Sequence, residues 1–128
     1  MDGKQIEKLR QYGRDGYSEY RGGHKTPISE SVMNVVIDRD NICVYCRAEF
    51  GNTRCNMATW EHINNDTRDV EEWNIALACG SCNYSRAHYT KLKDWFEKAP
   101  RGKTIDQENL ADVIVKYINK YEKTKAKI

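Results

Sequence analysis

Asn74-Ile75-Ala76-Leu77-Ala78-Cys79-Gly80-Ser81-Cys82-Asn83 changes character twice within a few residues. Ile75-Ala76-Leu77-Ala78 is an apolar run too short for a helix and reads as a strand. Cys79-Gly80-Ser81-Cys82 is a C-x-x-C knuckle, and from Ser81 the pattern predicts a helix. Cys43-Val44-Tyr45-Cys46 repeats the knuckle upstream. Two such knuckles in one small chain have the spacing of a four-thiolate zinc site. Between them, residues 57–62 read as a first strand ending in Glu61-His62. The order is therefore strand, loop, strand, helix, with a knuckle at each end.

Working outward, residues 4–12 predict a short helix, followed by a Gly-, Tyr- and Arg-rich stretch with no period. A second helix starts at Ser29, capped by Ser29 or Ser31, with Ile28, Val32, Val35 and Val36 as its apolar stripe. The segment 63–73 is polar and turn-rich, long enough for an Ω-type loop. One helix is expected from Ser81 to about Lys98, with Ala87, Leu92, Trp95 and Phe96 inward and Pro100 closing it. A last helix over 107–121 carries Leu110, Val113, Ile114, Tyr117, Ile118 and Tyr121 at helical spacing. That stripe packs within the chain or forms a homodimer face. The organisation expected is an irregular N-terminal arm (1–28), a core (29–99) and a C-terminal helical extension (100–128). The fold class expected is α+β.

At 128 residues, 39% hydrophobic and 31% charged, the chain has little apolar surface to bury. Its mean hydropathy is −0.86. Small cores of this kind benefit from a metal staple. Of five cysteines the knuckles use four, leaving Cys55 as a free thiol. Neither a signal-peptide core nor a membrane-length apolar run is present. Reduced thiols and a cytoplasmic location are expected; disulfides are the alternative for any cysteine pair.

The formal charge of +2 hides an uneven distribution. Arg86, Lys91, Lys93, Lys98, Arg101 and Lys103 outnumber Asp94 and Glu97, and five lysines follow from Lys116 onward. Acidic residues collect at Glu61, Asp66, Asp69, Glu71 and Glu72. Basic segments suit a polyanion such as DNA and a carboxylate cluster suits a cation, although solvated helix faces have the same composition. Glu61 and His62 adjoin one another on a strand, where successive side chains take opposite faces. A twist or bulge at the loop entrance would bring both to one site. Asn83 lies near a helix N-terminus, a favourable place for phosphate, and Asn is also a common helix cap.

Residues 32–96 resemble the HNH, or ββα-metal, endonuclease superfamily of the four-cysteine type. The resemblance rests on Arg39-Asp40 before Cys43-Val44-Tyr45-Cys46, on Glu61-His62-Ile63, and on Asn74 leading through an apolar strand into Cys79-Gly80-Ser81-Cys82-Asn83. It implies a β-hairpin-plus-helix core and a metal-dependent DNA endonuclease leaving 5′-phosphate and 3′-hydroxyl ends. His62 would be the general base. Glu61 and Asn83 would hold a catalytic divalent cation, Mg²⁺ or Mn²⁺. Asn74 would pin the loop and orient His62, and Arg86 would hold a phosphate. Cys43, Cys46, Cys79 and Cys82 would bind structural Zn²⁺.

The sequence departs from the family where many members carry Asp or His in place of Glu61, and a Gly-rich segment in place of residues 64–69. Asp66 or Asp69 could then enter the metal shell. A histidine often stands where Asn83 does. His88 suits a solvent-facing or phosphate-touching role, His24 has no assigned role, and Trp60, Trp73, Trp95 and Phe96 are expected in the core. The rival readings are a zinc-stapled nucleic-acid-binding module without catalysis and a zinc scaffold for a protein partner.

Overall fold

A computed structural model describes residues 1–15 and 26–122; His24 lies outside the described residues. The fold is mixed α/β around one antiparallel hairpin, β1 (Ala58–His62) and β2 (Ile75–Cys79). The ladder is regular, from Ala58 opposite Cys79 to His62 opposite Ile75, with no bulge.

Strand alternation explains how so small a sheet is stabilised. Trp60, Ala58, Ile75 and Leu77 face one way and pack with Leu9, Ile28, Met33 and Val36. Ala76 and Ala78 face the other way, toward Tyr45, Ile63, Leu92, Trp95 and Ile114. All five residues of β2 are buried, because helices cover both faces. A bare two-stranded hairpin would be only marginally stable.

On the first face lie α1 (Gly3–Asp15) and α2 (Glu30–Arg39). The Gly-rich stretch expected to follow α1 begins inside it: Gly13 is the last buried residue of the helix. A side chain there would overlap Met33 Sδ and crowd the Trp60 ring, so glycine permits the close approach. Trp60 Nε1 donates to Leu9 O at 2.7 Å, and Ile28 N donates to Gly13 O at 2.9 Å where the chain returns. Arg14 pairs with Glu30 at 2.6 Å, tying α1 to α2. The N-terminal segment thus contributes to the core. Ser29 caps α2, accepting from Val32 N. The buried stripe is Ile28, Met33 and Val36; Val35, expected inward, is exposed.

The C-cap of α2 fastens the helix to the hairpin. Asp40 is buried and accepts from Leu77 N at 3.0 Å while Arg39 holds its carboxylate by two bonds of 2.7 and 2.8 Å. Arg39 also donates to Ile75 O. Helix and β2 are thereby joined through backbone groups a strand edge would otherwise leave open.

On the second face the single helix expected over 81–98 is two helices, α3 (Gly80–Arg86) and α4 (Leu92–Lys98). The break has identifiable partners. Arg86 donates to the Tyr89 carbonyl, which the interruption frees, and to Ile63 O. Lys91 offers no side-chain cap to α4; instead Glu122 accepts from Leu92 N and Lys93 N at 2.9 and 3.0 Å. Negative charge at a helix N-terminus is favourable. The last helix is also shorter than expected. A 3₁₀ turn (Gln107–Asn109) precedes α5 (Asp112–Tyr117), and a π turn (Ile118–Glu122) follows, bringing Glu122 to α4. Ala111 N donates to Val44 O at 3.1 Å, joining this segment to the first knuckle. No helix among the described residues is long and apolar enough to cross a membrane.

Candidate functional site

The four knuckle cysteines converge, their Sγ atoms all within 4.8 Å of one another. Cys46 Sγ and Cys79 Sγ are 3.9 Å apart, far beyond a disulfide bond. A tetrahedral zinc tetrathiolate with Zn–S near 2.3 Å has sulfur–sulfur edges of about 3.8 Å. The donor set and spacing therefore fit such an ion. Among the described residues no other group of three or more His, Cys, Asp or Glu side chains has ligand atoms that converge. Cys55 is exposed and outside the cluster.

Backbone donors shape the cluster. Cys79 N donates to Cys43 Sγ at 3.3 Å, and Cys82 N to Cys79 Sγ at 3.4 Å, so Cys79 caps α3 with its sulfur. Hydrogen bonds from Cys43 and Cys82 lower the Cys79 thiol, while contacts with Cys43 and Cys79 raise Cys82. The bond to Cys79 pushes Cys43 up to about 12. A bound cation would stabilise all four sulfurs as thiolates. Arg101, one of the residues of the basic run from Arg86 to Lys103, donates from Nε to Cys82 Sγ at 3.2 Å and contacts Cys79 Sγ at 3.7 Å. Burial opposes its charge, but the bond to Cys82 and the sulfur charges raise its pKa.

At the far end of the hairpin, Glu61 is 3% exposed. Its Oε2 accepts from Tyr45 OH at 2.5 Å and lies 3.8 Å from Arg86 Nε. Burial, with the Glu61 charge beside it, raises the Tyr45 phenol well above the ordinary range, so it remains a donor. Arg86 itself is completely buried. A phosphate-holding guanidinium needs access from solvent, and Arg86 has none. It is a structural cation that gathers the Ile63 and Tyr89 carbonyls and faces Glu61. Burial works against its charge, yet Tyr45, Glu61 and Glu122 raise its pKa further.

Asn83 Nδ2 donates to Thr59 Oγ1 at 2.8 Å and Trp60 O at 2.9 Å, clamping α3 onto β1. Thr59 and Glu61 share a strand face by alternation, so Asn83 and Glu61 lie on the same side of the hairpin. His62 is the last paired residue of β1, and the regular register directs its side chain to the opposite face from Glu61. The bulge that could unite them is not there; only the strand's end, where the loop begins, adjoins both faces.

Asn74 is fully buried and closes the 63–74 connection. Its Oδ1 accepts from Asn64 N, and its Nδ2 donates to Asn64 Oδ1 and Asp69 O, at 2.8 to 2.9 Å. Its carbonyl accepts from Ile63 N, the residue after His62. Asn74 therefore shapes the backbone leaving His62. Asp69 is spent on the same loop through Asn64 and Glu71 N. Asp66 is held by the Arg68 N–H and side chain, which lower its pKa, with a smaller contribution from His62. Asn65, at positive φ, donates to Ala87 O and ties the loop to α3.

Of the other expectations, Trp60, Trp95 and Phe96 are core residues. Trp73 is 39% exposed and stacks on Tyr117 and Tyr121, so the C-terminal aromatic stripe packs at least partly within the chain. His88 is exposed, edge-on to Tyr84 at 5.6 Å. Lys91, Lys93, Lys98 and Lys103 are exposed, whereas Arg86 and Arg101 are turned inward. Comparison of the chain with protein-family models, curated proteins and solved structures finds no match.

Proposed function

We propose that this chain is a metal-dependent DNA endonuclease of the HNH type, built on a ββα-metal core with a structural zinc at the four cysteines. The observation that carries the reading is the joint placement of β1, β2 and α3. The thiol cluster grips the hairpin at one end, Glu61-His62 closes β1 at the other, and the Asn83 amide bridges α3 to β1.

In this reading a water attacks the phosphorus atom, its proton passes to the neutral imidazole of His62, and the 3′ oxygen leaves. A hard divalent cation, Mg²⁺ or Mn²⁺, supplies Lewis-acid stabilisation of the developing charge when bound. The donors that would hold it are the Glu61 carboxylate and the Asn83 side-chain oxygen, a sparse set that suits an ion keeping most of its waters. Asn74 fixes the backbone after His62. Exposed lysines on and around α4 would supply salt-dependent contacts to the DNA backbone. One such site cuts one strand, so double-strand cleavage calls for two copies.

One observation favours a second reading, a zinc-stapled nucleic-acid-binding module without catalysis. The Glu61 carboxylate already faces Tyr45 and Arg86 in the interior. The deciding experiment is plasmid cleavage by zinc-loaded protein with Mg²⁺ or Mn²⁺, with the divalent ion withheld, and with His62→Ala. The nuclease reading expects cleavage that both controls abolish. Salt-dependent DNA binding without cleavage, equal in parent and His62→Ala, would replace it with the binding module.

A further inference from the structure

Four thiolates around one Zn²⁺ leave a net charge of two minus on the cluster, three of whose cysteines are buried. Charge of that density inside a protein calls for donors beyond the metal itself. Two backbone amides supply part of the need. Arg101 is aimed at the remainder, its Nε and one terminal nitrogen directed at two different sulfurs. A planar forked donor holds two acceptors in a fixed geometry, whereas a lysine ammonium is a compact charge on a flexible stem.

The backbone delivers Arg101 to this spot. α4 ends at Lys98, Ala99 is buried, and the chain turns back in a 3₁₀ turn (Gly102–Thr104) toward the start of α3. Gly102 lies directly against the Trp95 carbonyl, where a Cβ would overlap the oxygen. Thr104 N and Oγ1 both donate to Arg101 O, at 3.0 and 2.6 Å, and Lys103 N donates to Ala99 O at 2.9 Å. A surface arginine lying on sulfur by chance would not need a turn locked on both sides of it.

We propose that Arg101 is a positioning residue of the metal centre: its guanidinium hydrogen-bonds the Cys82 and Cys79 thiolates, offsets part of their charge and slows the departure of zinc. The proposal concerns the cysteine end of the hairpin and holds whatever chemistry occurs at the His62 end. Zinc transfer from the loaded full-length chain to a chromophoric chelator such as pyridylazoresorcinol measures it directly. Arg101→Gln should release zinc about tenfold faster, at the lower end of what loss of a metal-supporting contact costs. Arg101→Lys should fall between parent and Arg101→Gln, and Lys103→Gln, an exposed neighbour, should match the parent. In Co²⁺-substituted protein the thiolate-to-metal charge-transfer band should move to lower energy in both Arg101 variants, because hydrogen bonding lowers the energy of the sulfur donor electrons. If Arg101→Gln does not fold, Arg101→Lys carries the comparison. A release rate for Arg101→Lys equal to the parent, an unmoved cobalt band, or equal acceleration by Lys103→Gln would overturn the assignment.

Discussion

Replacing Arg86 with methionine separates two roles that the side chain could have, and the structure supplies the size of the effect. The guanidinium is wholly buried, serves the Ile63 and Tyr89 carbonyls, and lies 3.8 Å from Glu61 Oε2. Methionine fills much of the same volume but leaves those carbonyls without a donor and Glu61 without a counter-charge. An unsatisfied buried polar group costs about 1–3 kcal/mol, and breaking a buried ion pair from one side about 3–5 kcal/mol. These overlap, and Tyr45 OH still serves Glu61, so we expect about 4 kcal/mol in all. For a domain with about 5–15 kcal/mol of total stability this is a large fraction. At about 3 °C per kcal/mol it lowers Tm by about 12 °C. Urea unfolding of zinc-loaded protein, with zinc content measured alongside, reads it. Adding Glu61→Gln should recover part of the loss, since a neutral amide no longer needs the cation. A variant within about 0.5 kcal/mol of the parent, the range of an ordinary surface change, would refute the buried-cation argument. If such a variant also bound DNA more weakly, Arg86 would be the phosphate clamp that the sequence suggested.

Cys79→Ser should lose zinc and tertiary structure together, because structural zinc binding contributes about 10–16 kcal/mol to folding; far- and near-UV circular dichroism with metal analysis checks it. Gly80→Ala should destabilise, although alanine favours a helix by about 1 kcal/mol, because its methyl would overlap the Arg54 carbonyl. Denaturant midpoints give the sign. The Arg14 hydrogen bond holds the Glu30 carboxyl below its usual range, so this contact is present above the ordinary carboxylate pKa and lost as pH falls through the depressed one. Glu30→Gln should therefore flatten the acid limb of the stability profile in that window and change nothing at neutral pH beyond the loss of the pair. His62→Ala should retain the fold and zinc content while abolishing any plasmid cleavage.

What could be read from the sequence was local. The knuckle spacing, the Ser29 cap and the apolar run of β2 each depend on neighbours within a few residues, and each element is where that reading puts it. The misses involve partners that spacing cannot reveal. Nothing near residues 87–91 announces that Arg86 will turn back to collect a freed carbonyl or that Glu122 will cap α4 from the far end of the chain. Without those groups, the sequence pattern alone continues as one helix. Gly13 reads as a breaker when its real use is close approach to Trp60. Arg101 and Tyr45 illustrate the same limit at the site. A basic residue in a lysine-rich run gives no hint that it ends against two sulfurs, and the knuckle tyrosine none that it meets Glu61. His62, Asn74 and Asn83 were legible as polar residues at element junctions, but the face each occupies follows from register and burial.

Cys79 serves both as a thiol of the cluster and as the cap of a seven-residue helix, a length too short to persist alone. The cluster cannot be completed until that cysteine exists, and it lies 33 residues beyond Cys46. At a synthesis rate of about 5–20 residues per second, the first knuckle waits about 2–7 s for the second. Throughout that interval Cys43 and Cys46 offer half a coordination sphere and two exposed nucleophiles. The order of synthesis thus places reductant and zinc supply during translation between the first knuckle and a completed cluster.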